Sequence, residues 1–459
     1  MSAWIVKTTV SQSNYQWSKS VDITQPSYSD VSAFGILLCD QYQNVHLLWS
    51  HLADDGAAIF YRNDVEGSWG SPIDVLAFTD PVAVYLDAAI SDVNNTLHLV
   101  WQNAYLGGDL YYSSASLPDA DNARSWSQPR ALAQNTGAGS IATDAQGTIH
   151  LVHGTSGGDG LYLAVNYLRS QDDGKTWSEP AIVFSTLATV PSDVWGEIAA
   201  DDQGRLYVGI TWRSQEYGVQ SEVGYVLSPD GGQTWSEYER VEATGTTFQG
   251  VTKLVPYAFG NGEVHLTWHD PRRMHQWSFD GGVTWNAPVE IMPLGAAFGG
   301  PNDLVRDSAG TVHVVTAVAD GVFSAAWDGK RWGPPERIDD RYIDPHGQHM
   351  VVCQGNQLHV VYYDRIGDNT VWYAFREVEA PHIARQSFPA STSLLPDAPT
   401  ATVPVSQTGD SLIHNVISET AEPAIDKASS EPIRPLIVSA LVVFVFITIV
   451  FVLKRLMGH

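Results

Sequence analysis

Apolar and polar positions alternate along this chain in short bursts, and the bursts come in groups of four. The clearest group spans residues 195–241. Apolar-rich segments at 195–200, 206–212, 222–227 and 235–241 are separated by polar turns such as Asp201-Asp202-Gln203-Gly204. Segments of this length with Gly/Asp turns predict four short antiparallel strands. The group repeats. A strand-like phrase, Val45-His46-Leu47-Leu48-Trp49, returns around His98, His150, Tyr207, His265, His313 and His359, at intervals of 52, 52, 57, 58, 48 and 46 residues. A Trp after a polar turn alternates with it, at Trp17, Trp69, Trp126, Trp177, Trp235, Trp285 and Trp332. A period near 50 built from strand units predicts a β-propeller.

The repeats fill residues 1–377. The last copy has three strands, near Met350, His359 and Trp372, whereas 17–23 resembles a fourth strand lacking its first three. If the N-terminal strand completes the last sheet, both ends of the ring are tied and no inner edge is exposed. That arrangement gives seven blades, with six blades plus extra strands as the alternative.

Downstream the pattern stops. Residues 378–434 hold seven prolines, many Ser, Thr and Ala, and no Trp or Tyr. Such a stretch buries too little apolar surface to order itself and is expected to be a disordered stalk. Residues 435–453 then include eighteen successive uncharged residues, LIVSALVVFVFITIVFVL. At 1.5 Å per residue they reach about 27 Å, matching a transmembrane helix. Residues 454–459 form a short basic tail that begins Lys454-Arg455. The basic tail favours a cytoplasmic C-terminus with the propeller outside. The first twenty residues hold no signal-peptide core, so a tail-anchored protein with a cytoplasmic propeller is the alternative.

Charge narrows the partners. Lys and Arg total 25 against 51 Asp and Glu, a formal net charge of −26. That balance argues against nucleic acid and anionic lipid surfaces as electrostatic partners. Cys39 and Cys353 end the first strands of the first and last repeats. Two buried thiols are expected, because neighbouring inner strands usually hold their Cα atoms too far apart to be bridged. The repeated His occupies equivalent places in separate blades, so it is expected to be a structural residue bonded to a neighbouring blade's backbone, not a metal ligand. No metal or organic cofactor is indicated, although an acidic mouth is compatible with Ca²⁺.

Three turns share the pattern S-x-D-x-G-x-T-W: Asp172, Gly174 and Trp177; Asp230, Gly232 and Trp235; Asp280, Gly282 and Trp285. They resemble the Asp-box, or bacterial neuraminidase repeat, of the sialidase superfamily. Looser relatives lie at 64–69, 119–126 and 328–332. The box is expected to be structural, with its carboxylate accepting backbone N–H groups across the turn. Its Trp is expected to pack between sheets. The resemblance implies a ligand site on the opposite face, where loops join second to third and fourth to first strands.

Sialidases use an arginine cluster for the sugar carboxylate, a Tyr nucleophile with a Glu partner, and an Asp acid/base. Guanidinium binds a carboxylate bidentately and keeps its charge. By resemblance, Arg213, Arg272 or Arg273, and Arg365 supply the cluster, and Tyr217 with Glu197 or Glu216 the nucleophile pair. Asp87, Trp195, Asp270, Asp303, His346 and Asp364 are further binding candidates, with Tyr28, Asp30, Asp80, Tyr85, Asp193, Asn302, Asp344 and His349 nearby in the same loops. Two departures count against an active sialidase. The early Arg-Ile-Pro-type motif is missing, and seven repeats are counted where six blades are usual. Acidic and aromatic residues at the mouth also suit neutral sugars, and another glycosidase would need two carboxylates about 5–10 Å apart. The expected role is glycan recognition by a monomeric, membrane-anchored propeller whose ligand is a glycan or glycoprotein. Catalysis, or a purely protein-binding role, is the alternative.

Overall fold

The computed structural model describes residues 15–24, 31–53, 56–65, 67–78, 85–102, 108–157, 162–187, 192–214, 220–241, 253–270, 272–294, 302–318, 320–341, 347–364 and 370–388. Among them the chain is all-β and propeller-like, with two 3₁₀ turns, Leu117–Asp119 and Ala123–Ser125, as its helical content. The expected stalk from 389 onward and the transmembrane segment 435–453 lie outside the described residues.

Within a repeat the strands pair in chain order, each antiparallel to the next. Residues 195–241 illustrate this. Ser192–Ala200, Leu206–Ser214 and Gln220–Ser228 form an unbroken ladder. The fourth strand is only Glu239–Arg240, shorter than the sequence pattern suggests. The Asp-box turn occupies the residues before it, and Trp235 leaves the sheet plane to pack on Tyr167 of the preceding repeat, with ring centroids 5.1 Å apart.

The seven repeats do not form seven separate sheets. Among the described residues the hydrogen-bonded strands make five, four of them four-stranded and one eleven-stranded. One long strand causes the fusion. The first half of Arg130–Thr143 pairs with Gly108–Ser116, and its second half pairs with Ile149–Gly157. It is thus both the outer strand of the second repeat and the inner strand of the third. Ser156 and Gly157 then pair with Asp193 and Ser192, joining the fourth repeat as well.

The core is divided among the interfaces between neighbouring repeats. Ile36, Leu48 and Ile59 of the first repeat pack with Leu97, Leu99 and Trp101 of the second. The recurring Trp marks each interface by packing on the third-strand aromatic of the preceding repeat. The pairs are Trp69 on Tyr373, Trp126 on Tyr61, Trp177 on Tyr112, Trp235 on Tyr167, Trp285 on Tyr225 and Trp332 on His275. Trp17 completes the series by donating to Ser324 Oγ at 3.1 Å. The repeated His is fully buried, and its partner differs from the one expected. His46, His98, His150 and His359 share a hydrogen bond with Tyr61, Tyr112, Tyr167 and Tyr373 of their own sheet, at 2.6–2.8 Å. A neighbouring backbone is not needed, because the facing strand supplies a phenol at the right register.

Three devices tie the first repeat to the last. Val21 and Asp22 pair with Tyr373 and Trp372, so the N-terminal strand does complete the last sheet. Cys39 and Cys353 form a disulfide, with Cα atoms 5.6 Å apart. The expectation of two thiols therefore fails. The inner strands Val31–Cys39 and His349–Cys353 converge at their ends to well within the span a disulfide requires. The third device is the chain after residue 377, which was expected to be disordered stalk. Val378 is buried, the Ile383 N–H donates to the Gln354 carbonyl at 2.8 Å, and the Gln386 N–H donates to the Tyr42 carbonyl at 2.9 Å. Arg385 pairs with Asp64 at 2.7 Å, and Phe388 packs edge-on against Tyr42 at 5.1 Å. A few apolar residues and one arginine hold this strap even though its composition is stalk-like.

Candidate functional site

The inner strands surround a central cavity of about 410 Å³. Six repeats line it, through Asp87, Ser140, Glu197, Lys253, Tyr257, Asn302, Asp303, Gln348 and His349 among others. Register explains why these residues meet. On each inner strand, one residue pairs with the recurring His or Tyr of the second strand. Two positions before it stand Ile36, Asp87, Ser140, Glu197, Val255, Asp303 and His349 in repeats one to seven. Five of the seven are polar, at a place where an ordinary buried strand would carry aliphatic side chains.

Four of the five act as staples. An inner strand has no ladder partner on its cavity side, so its N–H groups need other acceptors. Asp87 Oδ2 accepts the Ile141 N–H at 2.9 Å. Ser140 Oγ accepts the Ile198 N–H at 3.2 Å, and Asp303 Oδ2 accepts the Met350 N–H at 2.6 Å. His349 Nδ1 accepts the Leu37 N–H at 3.3 Å, which leaves its ring proton on Nε2. Each donor follows the equivalent position of the next repeat. Where the preceding repeat offers an aliphatic side chain, the acid serves its own strand. Asp87 Oδ1 accepts the Ala88 N–H at 2.9 Å, in the repeat after Ile36.

Glu197 breaks the rule. The donor it should meet is residue 256, which is a proline and has no N–H. Its carboxylate pairs instead with the Lys253 ammonium across the cavity wall. Glu197 and Lys253 keep 22% and 32% of their side-chain surface, so both reach the cavity's water. Tyr257 donates its hydroxyl to the Asn302 carbonyl at 2.6 Å.

Three carboxylates thus share the cavity with one lysine. Burial pushes Asp87 up to about 6, and the nearby Glu197 charge adds to the shift. Although some of its surface touches cavity water, Asp87 is deep in the ring, so its charge is poorly solvated. Burial also raises Asp303, and it raises Tyr257 well above a normal phenol with help from the Asp303 charge. Carboxylates with unequal proton affinity can divide acid and base roles. A wall of carboxylates can also accept sugar hydroxyls.

The expected site residues divide into three groups. Asp87, Glu197 and Asp303 come together in the cavity. Trp195 is on the same inner strand as Glu197, half-buried and paired with Thr211. Tyr217, His346 and Arg365 lie outside the described residues, and of Arg213, Asp270 and Asp364 only the backbone is described. That backbone is still in strand ladders, with Arg213 opposite Asp193, Asp270 opposite Arg272, and Asp364 opposite Thr370. Of the expected arginine cluster, the Arg213 side chain and Arg365 are therefore outside the described residues, and Arg272 and Arg273 are the members that can be placed. Arg273 is 1% exposed and donates to Thr316 Oγ1 at 2.8 Å, with burial lowering its pKa to about 10. Arg272 is exposed, 3.7 Å from Glu290. Strand alternation places these two consecutive arginines on opposite faces.

The Asp-boxes occupy the turns after the third strands. Asp172 Oδ1 accepts from the Thr176 N–H at 2.8 Å, and its Oδ2 accepts from Thr176 Oγ1 at 2.6 Å. Asp230 and Asp280 repeat both bonds at the same lengths. Gly174 and Gly232 adopt φ of +79° and +81° and lie against the Tyr112 and Tyr167 hydroxyls.

Lys253 and Tyr257 were missed from sequence. Aligning the repeats on the recurring His would have found them, because that alignment shows Pro256 and Tyr257 where other inner strands carry small or aliphatic residues.

Comparison with known proteins agrees with this architecture. Residues 110–315 match the BNR repeat-like domain. The xyloglucanase Xgh74A of Acetivibrio thermocellus is 26% identical over 223 residues, covering 43% of this chain and 24% of that protein. The chain therefore spans about a quarter of the length of the curated relative it matches. Among solved structures, the polysaccharide lyase Uly1 overlays with a TM-score of 0.54 at 12% identity, covering 77% of this chain and 93% of that one. The BP39L lectin of Burkholderia pseudomallei overlays with a TM-score of 0.53 at 14% identity, covering 78% of this chain and all of the lectin. Identities this low speak to fold alone, and in sequence the chain is similar to the BNR repeat-like domain over residues 110–315.

Proposed function

We propose that this chain is a glycan-recognising propeller of the sialidase superfamily whose ligand site is the central cavity, and that it prefers uncharged, hydroxyl-rich sugars to sialylated ones. The observation that carries this reading is the cavity wall. Asp87, Glu197 and Asp303 share it with Lys253, which already pairs with Glu197. Carboxylates accept sugar hydroxyl hydrogens, whereas a sialic acid carboxylate meets like charge there. The carbohydrate-active and carbohydrate-binding relatives support a glycan as ligand class.

The test is calorimetric titration of the full-length protein with xyloglucan heptasaccharide, cellotetraose and 3′-sialyllactose. Binding of a neutral oligosaccharide at least about tenfold tighter than sialyllactose is expected. Tighter sialyllactose binding would overturn the preference. Binding to none of the three would favour a protein-binding propeller.

Hydrolysis is a second reading, favoured by one observation. Asp87, raised to about 6, is in electrostatic contact with Glu197. A carboxyl that holds its proton to higher pH in this way is what the general acid of a glycosidase needs. Release of fluorophore from neutral aryl glycosides, lost in Asp87→Asn, would establish it, and the same assay with a sialoside tests exo-sialidase activity.

The proposal extends to architecture and location. The six Trp-on-aromatic contacts, together with the Trp17–Ser324 bond, run from each repeat to its predecessor and support a seven-bladed ring in which the eleven-stranded sheet counts as three blades. Residues 435–453 would anchor the protein through a 389–434 stalk, with the propeller extracytoplasmic. The Cys39–Cys353 disulfide supports that side, since such bonds persist in oxidising compartments. Protease protection of the propeller in sealed cells would overturn this orientation.

A further inference from the structure

We infer that Glu197 and Lys253 are the ligand-contacting pair of the central cavity, together engaging two adjacent hydroxyls of one sugar ring, while Asp87, Ser140, Asp303 and His349 at equivalent register serve the frame. This rests on the glycan reading above and specifies which residues of that site do the recognising.

The argument is one of occupancy. At five inner-strand positions a polar side chain is available to the cavity. Four of these side chains bond the N–H of the next inner strand, at 2.6–3.3 Å. A ligand hydroxyl at those acceptors would have to share an oxygen with a backbone N–H, or strand that buried N–H at about 1–3 kcal/mol. Glu197 has no such duty, because Pro256 removed the donor. Its partner is a lysine on a flexible stem, and both retain water-facing surface. Because both partners of the pair reach cavity water, solvent screens their attraction, and exchanging that contact for sugar hydroxyls costs less than stranding a buried N–H.

The chemistry of the pair is specific. The carboxylate accepts hydrogen bonds and the ammonium only donates. Side by side they match a vicinal diol in which one hydroxyl donates to Glu197 and its neighbour accepts from Lys253. Tyr257, two residues after Val255 on the same inner strand, adds an aromatic face that also lines the cavity.

The experiment measures binding and stability together on the full-length protein. Xyloglucan heptasaccharide is titrated into wild type, Glu197→Gln, Lys253→Gln and Ser140→Ala, and the melting temperature of each is recorded. Glu197→Gln and Lys253→Gln are expected to weaken binding at least about tenfold, as loss of one charge-assisted hydrogen bond does, with melting temperature unchanged. Ser140→Ala is expected to lower the melting temperature and leave the affinity of the folded protein alone. Wild-type binding that survives in both Glu197→Gln and Lys253→Gln would overturn the inference and leave the glycan reading standing. A melting temperature that falls as far in Glu197→Gln as in Ser140→Ala would place Glu197 among the staples and overturn it as well. No binding by wild type to any of the three oligosaccharides named above would overturn the glycan reading, and this inference with it.

Discussion

Two sets of aspartates in this protein serve the same backbone and have opposite titration behaviour. The Asp-box residues Asp172 and Asp280 are on the outside, held down to about 2 by the Thr side chain and backbone N–H groups of their own turns. The cavity residues Asp87 and Asp303 also accept backbone N–H bonds, yet their pKa values are raised. Hydrogen bonds stabilise the charge in both sets. In the cavity burial outweighs them, with the Glu197 charge adding to the shift at Asp87. The difference teaches that a carboxylate's hydrogen-bond list does not give its charge state. Solvation of the site decides.

Breaking the outer set at its tightest point should have the largest effect. A Cβ on Gly174 would meet Tyr112 Oη at 1.9 Å, on a backbone already at φ +79°. Gly174→Ala should therefore cost roughly 3 kcal/mol or more, through strain and overpacking combined. Chemical denaturation would detect it, and a loss under about 1 kcal/mol would show that Tyr112 swings clear.

The inner set comes next. Asp303→Ala strands the Met350 N–H between two repeats. A loss of about 1–3 kcal/mol is expected in the same assay. A neutral result would mean that water substitutes for the carboxylate in the cavity.

Titration then separates the sets by sign. Asp87 has a folded pKa near 6 against an unfolded value near 4. Between those values the folded state holds the extra proton, so this residue's contribution to stability falls as pH rises. Wild type should therefore gain stability relative to Asp87→Asn as pH drops from about 6 to about 4. The difference between the two proteins is the quantity to follow. The buried His98 and His359, lowered by desolvation to about 3 and about 4, pull the opposite way in both proteins. Their stabilising effect is present above about 6.5 and lost below it. A pH-independent difference in melting temperature would show that Asp87 titrates normally.

The smallest effect belongs to the exposed boxes. Asp172 is depressed, so its contribution is present above about 4 and lost as pH falls towards 2. Asp172→Asn should lower the melting temperature slightly at pH 7 and remove part of the acid limb below pH 4. An unchanged acid limb would assign that limb to other groups.

Legibility from sequence followed the range of the interaction. The four-strand units, the closing N-terminal strand and the structural role of the Asp-boxes were all readable, because period-2 alternation, turn residues and the S-x-D-x-G-x-T-W spacing act within a few residues. Asp87, Glu197 and Asp303 were recognised as loop-entry acids. Their division into staples and a lysine-paired carboxylate was not, because it depends on the residue that the next repeat presents. The disulfide was misjudged for the same reason, since its Cα separation is set by how two inner strands converge across the ring. The strap at 378–388 was misread from composition, which averages over the few residues, Val378, Arg385 and Phe388, that pin it.

The sequence by itself determined the unit: its strands, its turns, its buried His and Trp, and the period that stacks one copy on the next. These follow from local backbone preference and from apolar area that each unit must bury against a neighbour. Only the tertiary structure decided which polar side chains face the same water. One proline in one inner strand removes one N–H, and whether that absence matters depends on the glutamate that the preceding repeat brings opposite it.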